Sequence, residues 1–191
     1  MSQRPQPGDM VAPRRLVAVD SSTVTLPDSG GAFIHLLFRR YAGCPICNLH
    51  LRTLARRHAE LLAANTRVVA IFHSSAEELG AVRRALPFPL LPDPERNLYA
   101  ECGVGTSLRS VLDPRAWSAA FRAVASRASP DPSAGRASGA FGLPADLLIS
   151  PHGRVVAAKY GVHADDNWSV DDVLALLSTA RERDRASLEV A

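Results

Sequence analysis

Long apolar runs are missing from this sequence. No stretch approaches the roughly 18 consecutive apolar residues that a membrane-crossing helix needs, so no membrane association is expected. The opening MSQRPQPGDM lacks the apolar segment of a secretory signal, which makes the cytoplasm the expected setting. A basic stripe is also missing. The net charge is only +3 and the arginines are scattered; with no reading motif beside them, nucleic acid is not an expected partner. Cysteine is scarce, and three in 191 residues cannot make a disulfide scaffold. In a reducing compartment a close pair of cysteines points to catalysis or metal binding rather than to a structural bridge.

What remains is ordinary globular material. Hydrophobic residues make up 47% and charged residues 21%, enough for one domain with a sizeable core. Residues 1–14, rich in Pro, Arg and Gln, read as a loose extended arm. A single domain is expected over 15–181, with an insertion over 106–140 and a charged tail over 182–191 that frays.

LVAV and TVTL pattern as strands that form a hairpin, and AFIHLLF as a strand buried on both faces. NLHLRTLARRHAELLAAN carries Leu51, Leu54, Leu61 and Leu62 at helical spacing and reads as one helix stopped by Asn65. RVVAIFH is the next strand. SAEELGAVRRAL is a helix capped by Ser74 or Ser75, with acids in its first turn. FPLLPD is extended, and PERNLYAECG is a short helix ending at Gly103.

In the insertion, Asp113 and Pro114 mark a helix start. Its apolar residues Trp117, Phe121 and Val124 are expected in the core, with capping of an active site or contact with a second subunit as the alternatives. ADLLIS, a PHG turn and RVVAAKY read as a second hairpin, and an amphipathic helix follows from Ser169. A β-α-β followed later by β-β-α is the plan of a thioredoxin-like α/β fold. It implies a mixed central sheet flanked by helices, with an N-terminal β-hairpin and a helical insertion before the C-terminal β-hairpin.

The chemistry concentrates in FRRYAGCPIC, residues 38–47. Cys44 falls where the third strand gives way to the long helix, and Pro45 suits the first helical position, where its missing N–H costs nothing. Free N–H groups and the positive end of the helix dipole favour a thiolate at Cys44. Cys47, three residues on, shares the face of that first turn. A redox pair is the leading reading; metal ligation and two inert thiols stay open. The histidines show no paired ligand spacing. Cys102 reads as a small buried apolar residue, with a second resolving thiol or a glutathionylation site as the sharper alternative.

GCPICNLHLRTL, FPLLPDPERNLYAECGV and GLPADLLISPHGRVVAAKYG together resemble the peroxiredoxin-like branch of the alkyl hydroperoxide reductase and thiol-specific antioxidant family, over about residues 7–180. The resemblance implies that Cys44 is the peroxidatic cysteine and Cys47 the second cysteine. It also implies that Pro144 is the proline which thioredoxin-fold oxidoreductases hold in cis before the third core strand. Two departures stand out. The family's proline and threonine before the cysteine are here Leu37 and Tyr41, and its later arginine is replaced by Pro144. Arg39 or Arg40 is then the substitute charge, and strand alternation lets only one face the site.

The expected activity is therefore thiol-dependent reduction of hydroperoxides. Cys44 becomes a sulfenic acid, Cys47 closes on it as a disulfide, and a thioredoxin-like protein or low-molecular-weight thiol restores the pair. No cofactor is required. A general thiol–disulfide oxidoreductase acting on disulfide substrates is the first alternative, and a non-catalytic thioredoxin-fold binding module the second. Proteins of this fold often pair, so a homodimer is among the expected states.

Overall fold

Residues 33–39 alternate between two apolar environments, and that alternation organises the domain. The computed structural model describes residues 4–107, 114–126, 129, 131–134 and 141–189. Its elements in chain order are β1 (Arg14–Val17), β2 (Thr23–Leu26), β3 (Phe33–Arg39), α1 (Pro45–Arg56), α2 (His58–Ala63), β4 (Thr66–Phe72) and α3 (Ala76–Arg83). They continue with β5 (Leu90–Pro92), α4 (Asn97–Glu101), α5 (Pro114–Ala125), β6 (Ala145–Ile149), β7 (Val155–Tyr160) and α6 (Val170–Glu189).

The central sheet has the order β5-β4-β3-β6-β7. Strand β3 runs parallel to β4 and antiparallel to β6, so it lies in the middle of a mixed sheet. Every residue of β3 is buried, as a strand covered on both faces requires. Phe33 and Leu37 face a core shared with Leu51 and Leu54 of α1, Leu61 of α2, Leu79 and Val82 of α3, and Val173 and Leu177 of α6. Ile34, Leu36 and Phe38 face the opposite core, closed by Val24 and Leu26 of the β1–β2 hairpin and by Tyr99 of α4.

Local signals account for most element ends. Ser75 caps α3 in a reciprocal box with Glu78, while Ser74 turns its hydroxyl to the Ala42 N–H at 3.0 Å. Ser169 and Asp172 make the equivalent exchange at the start of α6. Asn65 stops α2 with φ +46°, and Gly103 follows α4 with φ +60°, conformations that Asn and Gly accept at least cost.

Two expectations need correction. The helix expected over 48–65 is two, α1 and α2, broken at Arg57. There Arg57 turns its guanidinium to both Glu60 oxygens and to Asp171 of α6, a contact between elements that helical spacing does not encode. The N-terminal arm is not loose. Gly8 donates to the Val155 carbonyl and Val11 to the Gly153 carbonyl, both at 2.8 Å, and Arg154 reaches the Gly8 carbonyl at 2.9 Å. Helix α6 continues to Glu189, through the charged segment.

One buried ion pair ties the sheet together below α1. Arg39 Nη2 donates to Asp146 Oδ1 at 2.9 Å, with both side chains fully enclosed, and His35 Nε2 lies 3.0 Å from the same oxygen. Removing one partner of such a pair leaves a stranded charge, whereas replacing both by apolar groups of similar volume is close to neutral. Asp146→Ala should therefore lower stability in urea by about 3–5 kcal/mol. The double variant Arg39→Met/Asp146→Leu should regain most of that loss in the same titration.

Candidate active site

Strand β3 ends at Arg39, and the chain enters α1 at Pro45. The turn between them is held at each step. Cys44 N–H donates to the Tyr41 carbonyl at 3.0 Å. Asn48, one turn into α1, donates from Nδ2 to the Ala42 and Cys44 carbonyls at 2.7 and 3.0 Å. Pro45 occupies the start of the helix, and Cys44 is its N-cap. The Cys44 sulfur accepts the Cys47 backbone N–H at 3.3 Å.

Cys44 and Cys47 are joined as a disulfide, with their Cα atoms 5.3 Å apart. Around the sulfurs pack Tyr41, Ile46, Ala164 and Ala120. Strand alternation separates the two arginines. Arg39 goes below α1 to Asp146, and its Nη2 also lies 3.3 Å from His50 Nδ1; it does not serve the sulfurs. Arg40 does, with Nη1 3.9 Å from the Cys44 sulfur and its guanidinium 5.5 Å from the centre of the Tyr41 ring. In the reduced protein the Cys44 thiolate would occupy the position of that sulfur, facing a helix N-terminus and a guanidinium, both of which stabilise negative charge. Burial pushes the Arg40 pKa below its ordinary value, but arginine is still a cation at neutral pH.

Other site expectations come out unevenly. Leu37 is a core residue paired across the sheet with Asp146. Pro144 is buried at the same sheet end as the disulfide and accepts the Gly161 N–H at 2.9 Å. Its peptide bond is trans, against the expectation of cis; among the described residues the cis bond is Leu26–Pro27. Cys102 is half-buried and free, burial pushes its pKa up to about 11, and it packs in the core on the hairpin side of the sheet. It lines a cavity of about 370 Å³ with Leu36, Phe38 and Leu147, and neither Cys44 nor Cys47 lines that cavity. Asn48 and Ser74 hold the turn without being among the site residues that motif and spacing suggest. The sequence signal for Asn48 is an asparagine four residues after Cys44 on a buried helix face.

α5 places small residues toward the site. Ala123 is fully buried and Ala120 packs on the sulfur cluster, while Phe121 and Val124 are 77% and 68% exposed. These two are not core residues, so the core expectation for them is corrected. The Trp117 side chain and Asp113 lie outside the described residues.

Below the site, His50 Nε2 donates to the Trp168 carbonyl at 2.8 Å. Burial, reinforced by the Arg39 charge, lowers its pKa to about 4. Between about pH 6.5 and that value only the unfolded chain takes the proton, so stability is full above the window and lost as pH falls through it. Melting curves from pH 7.5 to pH 4 should show this decline, and His50→Gln should flatten it. Arg40→Met should raise the Cys44 thiol pKa by about 1 unit or more, read from the pH dependence of alkylation in the reduced protein.

The family model of AhpC/TSA antioxidant enzymes matches residues 53–163, more than half of the chain. That match begins within α1, after the cysteine pair. No curated protein sequence matches the chain. Among solved structures, the chain is similar to the peroxidoxin BcpB of Mycobacterium tuberculosis, at 18% identity and TM-score 0.61, covering 94% of this chain and 98% of that one. It is similar to Enterococcus faecalis AhpC, at 14% identity and TM-score 0.67, covering 95% of each chain. A Chlorobium tepidum protein assigned to thiol:disulfide interchange as DsbE gives 18% identity and TM-score 0.59, covering 91% of this chain and 99% of that one. At these identities the structures speak for the thioredoxin-like fold, and the family match carries the rest: the chain belongs to the AhpC/TSA antioxidant enzyme family and is a thiol-dependent redox enzyme.

Proposed function

We propose that Cys44 is the nucleophile, that hydroperoxide is the oxidant and that Cys47 resolves the oxidised sulfur. The observation that carries this reading is the position of the Cys44 sulfur, between the Cys47 N–H at the start of α1 and the Arg40 guanidinium. Both favour the thiolate. The thiolate attacks one peroxide oxygen, the O–O bond breaks and the other oxygen leaves as an alcohol or water after taking a proton. Cys44 is then a sulfenic acid. The Cys47 thiol condenses with it, water leaves, and the pair becomes a disulfide; a Cα separation of 5.3 Å suits that bond without backbone movement. Two external thiols reverse the step through a mixed disulfide and are themselves oxidised.

Tyr41 and Pro45 support this arrangement, Tyr41 by packing beside the sulfurs and under Arg40, Pro45 by starting the helix. Pro144 is proposed as the neighbouring substrate-side backbone at the same sheet end. The reductant is a thioredoxin-like protein or a low-molecular-weight thiol. A cytoplasmic setting, where such thiols are abundant, and a homodimer complete the proposal. Among the described residues, no helix is long and apolar enough to cross a membrane.

A second reading, disulfide exchange with little peroxidase activity, is favoured by Tyr41 standing where the family places a threonine. One experiment separates the two. Thiol mass spectrometry after one equivalent of peroxide should give a Cys44–Cys47 disulfide in wild type, a trapped sulfenic acid in Cys47→Ser and no reaction in Cys44→Ser. Disulfide reduction without peroxide consumption would select the second reading, and oxidation centred on Cys102 would overturn the site.

A further inference from the structure

The redox pair is roofed. Cys44 and Cys47 are 0% and 1% exposed, although they sit in a turn at the end of a sheet, where reactive residues are usually open to solvent. Part of the roof is α5, which packs against α1 and brings Ala120 onto the sulfur cluster. Beside it a short strap, residues 131–134, lies against the turn that carries Cys44. The Gly43 N–H donates to the Ala134 carbonyl at 2.8 Å, tying the strap to the residue that immediately precedes Cys44. The strap keeps its shape because the Asp131 carboxylate accepts from the Ser133 N–H at 2.9 Å and from its hydroxyl at 2.6 Å.

Gly43 is what lets the strap come so near. A Cβ at this position would lie 2.3 Å from the Asp131 carbonyl oxygen, 2.8 Å from the Pro132 carbonyl carbon and 2.9 Å from the Ala134 oxygen. All three are backbone atoms, so no rotamer change relieves the overlap. The left-handed conformation that usually explains a glycine does not apply here, since Gly43 is not among the glycines with positive φ. The missing side chain serves close approach alone.

The geometry points to Gly43 as the residue that decides which molecules meet the Cys44–Cys47 pair. By seating the strap it admits small hydroperoxides and low-molecular-weight thiols, and it holds back a protein dithiol until the strap lifts. This rests on the reading of the two cysteines as the reacting pair. The physical reason is size. Thiol–disulfide exchange needs the attacking thiolate to approach a disulfide sulfur until a new S–S bond forms and the other sulfur leaves as thiolate. A thiol on a protein surface cannot make that approach to a sulfur with no exposed area, whereas a molecule of a few atoms needs only a transient gap. Access for the large partner then follows the population of the lifted state.

The test compares wild type, Gly43→Ala and Asp131→Ala, each reduced and each checked for a native melting transition. Alkylation of Cys44 and Cys47 is followed by mass spectrometry with two reagents, iodoacetamide and a polyethylene-glycol maleimide. In a second measurement the Cys44–Cys47 disulfide is reduced with dithiothreitol or with a thioredoxin. Gly43→Ala should raise the rate with the bulky maleimide and with thioredoxin by about tenfold or more, through overpacking against the strap, and change the small-reagent rates far less. Asp131→Ala, which leaves the cysteine turn intact, should shift the same ratio in the same direction by a smaller factor. Should Gly43→Ala fail to fold, the ratio measured for Asp131→Ala decides. Equal access for large and small reagents in wild type, or an unchanged ratio in every variant that folds, would overturn the proposal. The alkylation arm needs no turnover, so a protein that fails to consume peroxide would sink the peroxidase reading without touching the result on access.

Discussion

The ion pair between Arg39 and Asp146 fixes the geometry from which the active end is built. It joins β3 to β6 inside the layer below α1, and it commits the last residue of β3 to the helix side of the sheet. Alternation along an extended chain then sends the next residue, Arg40, the other way, so that it ends beside the Cys44 sulfur. Two adjacent arginines thus do unrelated work. One is a buried structural charge whose cost is met by a carboxylate, and the other is a cation beside the Cys44 sulfur. The same register brings Leu37 opposite Asp146, which places a packing residue where the family carries a proline.

The electrostatics of the sulfur are local and additive in direction. A helix start supplies an oriented backbone N–H, Pro45 begins the helix without adding a competing donor, and Arg40 contributes a full charge. Asn48 and Ser74 add no charge. They hold the Ala42 and Cys44 backbone so that the turn cannot drift away from the strand end. Burial works against a thiolate, so the enclosure of the pair, to which α5 contributes, raises the demand on these favourable terms.

Much of this was legible in the residues. The β3 run, the hairpins, the Ser75 cap and the place of Cys44 at a strand-to-helix junction all follow from short-range patterns, and the structure has them. Other features depended on contacts between distant segments. The long helix breaks at Arg57, whose guanidinium is shared between Glu60 and the distant Asp171. The proline-rich arm is ordered because β7 and its preceding turn offer it backbone partners. Phe121 and Val124 have the composition of core residues, yet α5 docks through alanines. Pro144 has the sequence position of a cis proline in a redox fold and is trans.

By itself, the sequence determined the fold class, through the order of its elements, and the placing of Cys44 and Cys47 on one helical turn. The second rests on a spacing of three residues, which local geometry converts directly into position. Only the tertiary structure decided that Arg40 rather than Arg39 lies beside the Cys44 sulfur, that Asp146 pairs with the last residue of β3, and that a glycine before the cysteine seats a strap against the turn. The ion pair joins residues 107 positions apart and the strap is likewise distant in the chain, and neither periodicity nor motif spacing carries that information.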